Sequence, residues 1–140
     1  METKSCYKGY LQVEDRTRLL GKINIKPLVQ TFGEIQTDEI IVTDERMEHI
    51  MERHQQDYKL FLEYGISTVT NPDFIIKDGK CDGTIFMVKR LADTNINVVV
   101  RVALSTDKKG LKNSVMTSYR LRDRNLKKMM ERNKVLYKNG

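Results

Sequence analysis

The sequence has no tryptophan, and only two cysteines, two prolines and two histidines in 140 residues. Each scarcity removes a class of function. Cys6 and Cys81 lie in unrelated segments without metal-type spacing, so no zinc site is expected. They could close one disulfide, but the expected state is two thiols in a reducing cytosol. No apolar run approaches the roughly 20 residues that span a bilayer, so no membrane partner is expected. The opening Met-Glu-Thr-Lys-Ser-Cys has no apolar signal core, which points to a cytoplasmic location. There is no glycine-rich phosphate loop and no close acidic trio spaced for magnesium. No cofactor and no metal ligands are therefore expected.

What is present suits a folded chain. Apolar residues make up 39% and charged residues 31%, the balance of a soluble domain. The organisation expected is an N-terminal extension over residues 1–20 and a single domain over 21–140. The charge is uneven. Residues 106–140 hold eleven Lys/Arg against three acids, a net +8 in a chain of net +6, which leaves −2 on the rest. A basic third on a slightly acidic body suits a polyanion partner, or only a solvated helix face.

Residues 1–21 are weakly patterned. Tyr7, Tyr10, Leu11 and Val13 could supply a short strand or helix, and Arg16–Gly21 reads as a turn. Gly21-Lys-Ile-Asn-Ile-Lys alternates like a half-buried strand, which Pro27 ends or places at an edge. Residues 37–43 read as a second strand. Thr43 or Asp44 can cap a helix that carries both histidines, His49 and His54. Met47, Ile50, Met51, His54, Tyr58, Phe61 and Leu62 recur at helical spacing as one stripe. His49 lies off that stripe, about 140° from His54 on an ideal helix. A break near Gln55-Gln56 could re-aim one of them. Gly65 is expected to end or bend the second helix.

From Asn71-Pro72 onward the pattern is sheet. Strands are expected at 74–77, 84–91, 97–105 and 113–121, joined by short turns as an antiparallel meander. A basic helix over 122–132 and the tail Val135-Leu-Tyr-Lys follow. The fold class is thus α+β, with helices packed on a four-stranded antiparallel sheet and an N-terminal strand extension. Simple alternation sorts the strand faces. Val98, Val100, Val102 and Leu104 oppose Arg101 and Ser105. Val115, Thr117, Tyr119 and Leu121 oppose Ser114, Met116, Ser118 and Arg120. Phe86 and Val88 share a face with Arg90. Each strand has one apolar face and one mixed face of hydroxyls and arginines, which could be merely wet. It could also hold a phosphate, because guanidinium groups bind phosphate in bidentate fashion and histidine moves the protons of a ribose hydroxyl. Those parts suffice for RNA cleavage without a metal.

Four stretches now combine: Gly21-Lys-Ile-Asn-Ile; residues 40–54, from Ile-Ile-Val-Thr-Asp to Glu-Arg-His; Asn71-Pro-Asp-Phe-Ile-Ile; and Asn113-Ser-Val-Met-Thr-Ser-Tyr, with a closing Asn133-Lys-Val-Leu-Tyr-Lys. Together they resemble the phage-associated branch of the barnase, EndoU, colicin and RelE-like ribonuclease superfamily, over roughly residues 21–138. The resemblance implies a barnase/RelE-like fold with the active site on the sheet's open face. It implies a metal-independent endoribonuclease of phage, prophage or toxin type, acting in a bacterial host cell, with RNA as substrate and a neutralising immunity or antitoxin protein as a possible partner. The implied catalytic residues are His49, His54, Ser114 and Thr117. The implied substrate-binding residues are Arg53, Asn113 and Arg101, with Arg90 competing for the basic strand position. Arg120, Lys127 and Lys128 join them from the basic segment. The chain departs from the family pattern at Gln55, where many members carry proline, and in the loop at Cys81-Asp-Gly. Ser114 and Thr117 fall on opposite faces unless a bulge lies between them; without one, Ser114 is the better placed. An inactive relative that holds RNA or a protein is the alternative.

Overall fold

A computed structural model describes residues 16–139. The readings at Tyr7, Tyr10, Leu11 and Val13 lie outside the described residues. The chain runs β1 (Thr17–Lys22), α1 (Lys26–Phe32), β2 (Glu39–Thr43), α2 (Asp44–Arg53), α3 (Gln55–Thr70), β3 (Phe74–Lys77), β4 (Thr84–Arg90), β5 (Asn95–Arg101), β6 (Asn113–Leu121), α4 (Asp123–Arg132) and β7 (Val135–Lys138).

The sheet has seven strands in the order β1-β2-β6-β5-β4-β3-β7. This corrects the expectation of four antiparallel strands. The meander β3-β4-β5-β6 is there and is antiparallel. Three short strands extend it, and β2 joins β6 in parallel through Ile40↔Asn113 and Ile41↔Ser114. Strands of four to six residues carry too little alternation to reveal a distant partner. β1 also replaces the turn expected at Arg16–Gly21, and it crosses the boundary expected at residue 21.

Pro27 opens α1 instead of closing a strand. A proline costs nothing in a first helical turn, whose N–H groups have no helical acceptor. Asn24 Oδ1 accepts the Lys26 N–H at 3.2 Å just ahead of it. Thr43 caps α2 as expected, its hydroxyl accepting the Arg46 N–H at 3.1 Å. The helix pair breaks at His54, which is extended (φ −166°, ψ 116°) between α2 and α3. That break resets the helical phase, so the expected single stripe divides. Ile50 and Phe61 are buried, whereas Met51 and Leu62 stand 42% and 56% exposed. Gly65 does not end α3, which runs on to Thr70. It is buried beneath the Phe61 ring, where a Cβ would sit 3.1 Å from ring carbons.

Cross-strand registers assign the faces. One face carries Ile75, Ile85, Met87, Ile96, Val98, Val100 and Val115, packed under α1, α2 and α3 with Leu28, Ile50, Phe61 and Val69. Each such side chain contributes about 1.5–3 kcal/mol of transfer free energy. The other face carries Phe74, Ile76, Val88 and Leu121, covered by Leu126, Met129 and Met130 of α4. Helices therefore lie on both faces of the sheet. Nor is the mixed face wet: Ser114, Thr117, Asn97 and Arg101 are all under 9% exposed.

β6 is bulged. Val99 pairs with Thr117 but Val100 pairs with Val115, leaving Met116 as the extra residue. The bulge shifts the alternation by one. Ser114 and Thr117 thus share the α4 face with Arg101, Val99 and Asn97. Ser118 and Arg120 move to the face of α2 and α3.

Cys81 is buried and disulfide-bonded, not the thiol expected. Cys6 lies outside the described residues.

Candidate active site

Pairing of β2 with β6 stops at Ser114. Beyond it α2 packs against β6. The helix starts where β2 ends and finishes at His54 beside Arg120, so it runs along β6 in the strand's own direction. The α2–α3 junction is fastened to the end of β6 by one guanidinium. Arg120 Nε donates to Asp57 Oδ1 at 3.0 Å, Nη1 to Gln56 Oε1 at 2.6 Å, and Nη2 lies 3.3 Å from His54 Nε2. The Arg120 backbone N–H also donates to Asp57 Oδ1 at 3.2 Å. A guanidinium can only donate, so in this contact Nε2 accepts and its lone pair is used. The Asp57 carboxylate balances Arg120 and fixes its fork.

This cluster borders a cleft of about 460 Å³ lined by Asp57, Asp93, Thr94, Arg120, Arg122 and Asn125. The cleft is polar, open and bears two arginines. It gathers two guanidinium groups, two carboxylates and the Thr94 hydroxyl, with His54 behind Arg120. The guanidinium groups can bind an anion, and His54 can take a proton from a neighbouring hydroxyl once Arg120 Nη2 leaves its Nε2.

The expected site residues do not all meet here. His54 and Arg120 do. His49 and Arg53 are exposed on α2. His49 sits about 7.5 Å before His54 along the axis, at 1.5 Å per residue. Ser114 is fully buried, and its hydroxyl has no hydrogen-bond partner. It lies six residues before Arg120, about 20 Å along an extended strand. Thr117 is 6% exposed and faces α4. Asn113 spends its amide internally: Oδ1 accepts from Ala103 N at 2.8 Å, and Nδ2 donates to Thr37 O at 2.8 Å and Glu39 O at 3.0 Å. The Arg101 guanidinium is buried against Gly83, bonded to the Val102 carbonyl and paired with Asp107 at 3.0 Å. Arg90 lies 5.9 Å over the Phe74 ring. With Lys127 it lines a groove on one flank of α4, facing Asp123 and Glu131. Lys128 lines the opposite flank with Lys80 and Arg132.

Asp57, Gln56, Arg122 and Thr94 join the cluster without having been singled out in the sequence. Asp57 falls three residues after His54, a spacing that could have signalled it. Asn97 was also missed. Its amide is fully buried in a valine-rich strand with both polar atoms unpartnered. Lys112 bonds Glu39 across β2 and holds its carboxyl below the ordinary value of 4.5. The charge of Glu63 raises Tyr64 above 10.0.

Among the described residues no three His, Cys, Asp or Glu side chains gather as a metal site, and no helix is long and apolar enough to cross a membrane. Searches of curated proteins and of solved structures return no match. A family model does match, over residues 17–138, and spans the whole sheet together with the His54–Arg120 cluster. The chain belongs to the phage-Barnase-EndoU-ColicinE5/D-RelE like nuclease2 family.

Proposed function

We propose that this nuclease-family chain is an endoribonuclease that cleaves RNA without a metal ion. The ribose 2′-oxygen attacks the adjacent phosphorus, its proton passes to a histidine, and the P–O5′ bond breaks. The leaving 5′-oxygen gains a proton, and the products are a 2′,3′-cyclic phosphate and a 5′-hydroxyl. The observation that carries this reading is His54 Nε2 at 3.3 Å from Arg120 Nη2 beside the cleft. His54 makes one proton transfer when Arg120 Nη2 turns from its Nε2 to the phosphate, and His49 makes the other from the edge of the cleft. Arg120 and Arg122 hold the non-bridging oxygens and stabilise the charge that grows on them. Arg53, in the last turn of α2, adds a cation beside His54. Ser114 and Thr117 form the buried side of β6 in this reading and do not touch the phosphate. The basic C-terminal third supplies salt-sensitive attraction to the RNA backbone. A toxin-type nuclease of this kind would be held by a neutralising protein in the cell that makes it.

The test is incubation of the pure protein with structured RNA in EDTA, with product ends read for cyclic phosphate. Wild type should cleave, and His54→Ala should lose about 100-fold or more, the scale of general acid–base catalysis. Absence of cleavage by wild type, or equal cleavage by the His49→Ala/His54→Ala double variant, overturns the proposal.

One observation favours a second reading, a binding protein without turnover. Arg120 is engaged by three side chains at once, which is how a structural fastener looks. RNA binding that survives both histidine variants, with no cleavage by wild type, selects it.

A further inference from the structure

Asn125 lines two clefts. One is the cleft beside Arg120. The other, of about 560 Å³, lies between α4 and the β3–β4 turn and is lined by Lys80, Phe86, Leu121, Lys128, Met129 and Arg132 among others. The two therefore adjoin at Asn125 on one flank of α4. Asn125, Lys128 and Arg132 follow that flank at helical spacing, and Asn125 to Arg132 spans about 10 Å of axis.

The second cleft is built for a flat ring with a charge beside it. Phe86 is half-buried on the α4 face of β4, with Leu121 and Met129 as apolar neighbours. Lys80, Lys128 and Arg132 surround it against one acid, Asp78. Its walls are already joined. Asn133 Oδ1 accepts the Gly79 N–H at 2.9 Å, while its Nδ2 donates to the Met129 carbonyl at 2.9 Å. Those two hydrogen bonds tie the β3–β4 turn to the end of α4, so this wall of the cleft is fixed before a ligand enters. The opposite flank of α4 offers no such charge, because Arg90 and Lys127 there face Asp123 and Glu131.

We infer that this cleft is a base-binding subsite for single-stranded RNA, next to the cleavage site. The base stacks on Phe86, Lys128 and Arg132 hold the flanking phosphates, and the exposed Asn125 amide reaches the base edge. Stacking on a protein ring requires an unpaired base, so the subsite selects loops and single strands over duplex. The inference rests on the reading of this chain as acting on RNA.

The experiment uses a fluorescein-labelled ten-nucleotide 2′-O-methyl RNA, which lacks the attacking hydroxyl and reports binding without cleavage. Phe86→Leu keeps an apolar side chain but removes the ring, and its melting curve verifies folding. It should weaken binding by about tenfold, as expected for one stacked base. The Lys128→Gln/Arg132→Gln double variant should flatten the dependence of log affinity on log salt by about 1.4, at roughly 0.7 per phosphate for single strands. Lys127→Gln should lose less affinity than Lys128→Gln, and a hairpin duplex should bind without responding to Phe86→Leu. Unchanged affinity in folded Phe86→Leu overturns the subsite, as does failure of wild type to bind the oligonucleotide. The two proposals fail separately. Phe86-dependent binding without cleavage in EDTA removes the enzyme reading alone. Cleavage with Phe86-independent binding removes the subsite alone.

Discussion

Replacing Asn113 with alanine separates a structural role from a substrate-binding one. Asn113 is 1% exposed and opens β6. Its three hydrogen bonds join the start of β6 to Thr37 and Glu39 on one side and to Ala103 on the other. The parallel β2–β6 ladder has only two register pairs, so this amide does much of the fastening between β1–β2 and the meander. Alanine leaves the Ala103 N–H unsatisfied where that residue is 3% exposed, and it strips one donor from two half-buried carbonyls. A buried unpaired donor costs about 1–3 kcal/mol, and the carbonyls, which water can partly reach, cost less. The sum is about 3–4 kcal/mol, a large share of the roughly 5–15 kcal/mol that holds a domain folded. With a urea dependence of about 2 kcal/mol/M, the unfolding midpoint should fall by about 1.5–2 M. Urea titration followed by far-UV circular dichroism measures it. An unchanged midpoint together with lost RNA affinity would refute this reasoning and return Asn113 to the substrate site.

Two further outcomes follow from geometry. Gly83→Ala should destabilise by at least about 2 kcal/mol, because Gly83 has φ +75° and an added Cβ would land on the Arg101 guanidinium. A loss below about 0.5 kcal/mol in thermal or urea melts would show that Arg101 is not held there. Glu39 has its carboxyl held below 4.5 by Lys112, so the folded state binds its proton less readily than the unfolded chain. The stability it contributes is present above the ordinary glutamate range and is lost as the pH falls through the lowered value. Lys112→Gln should therefore reduce the difference in urea midpoint between pH 7 and acid pH, and an identical difference in both proteins would reject the pairing.

The elements that sequence pattern located best were those with their own periodicity. β6 falls at Asn113–Leu121 as read, and α4 begins one residue late, at Asp123. Short elements were harder. β7 is four residues long and became a strand only by pairing with β3. α1 was hidden because Pro27 fits equally well after a strand and in a first helical turn. The candidate site was half legible. His54 and Arg120 were both singled out, but their meeting 3.3 Å apart was not, since they are 66 positions apart. The bulge at Met116 leaves no mark in composition, yet it decides which β6 residues look toward the histidine helix.

The sequence by itself determined the chemistry on offer: two histidines five residues apart in one capped segment, no metal spacing, a basic C-terminal third, and a meander of valine-rich strands. Those follow from residue type and local period, which need no partner. Only the tertiary structure decided where that chemistry is spent. It turned Asn113 and Arg101 inward to internal partners, buried Ser114 and Thr117 beneath the α4 face, and set His54 against Arg120 at an open cleft. Such choices depend on register, on one bulged residue and on one extended residue between two helices, and each of these is fixed by contacts with distant parts of the chain.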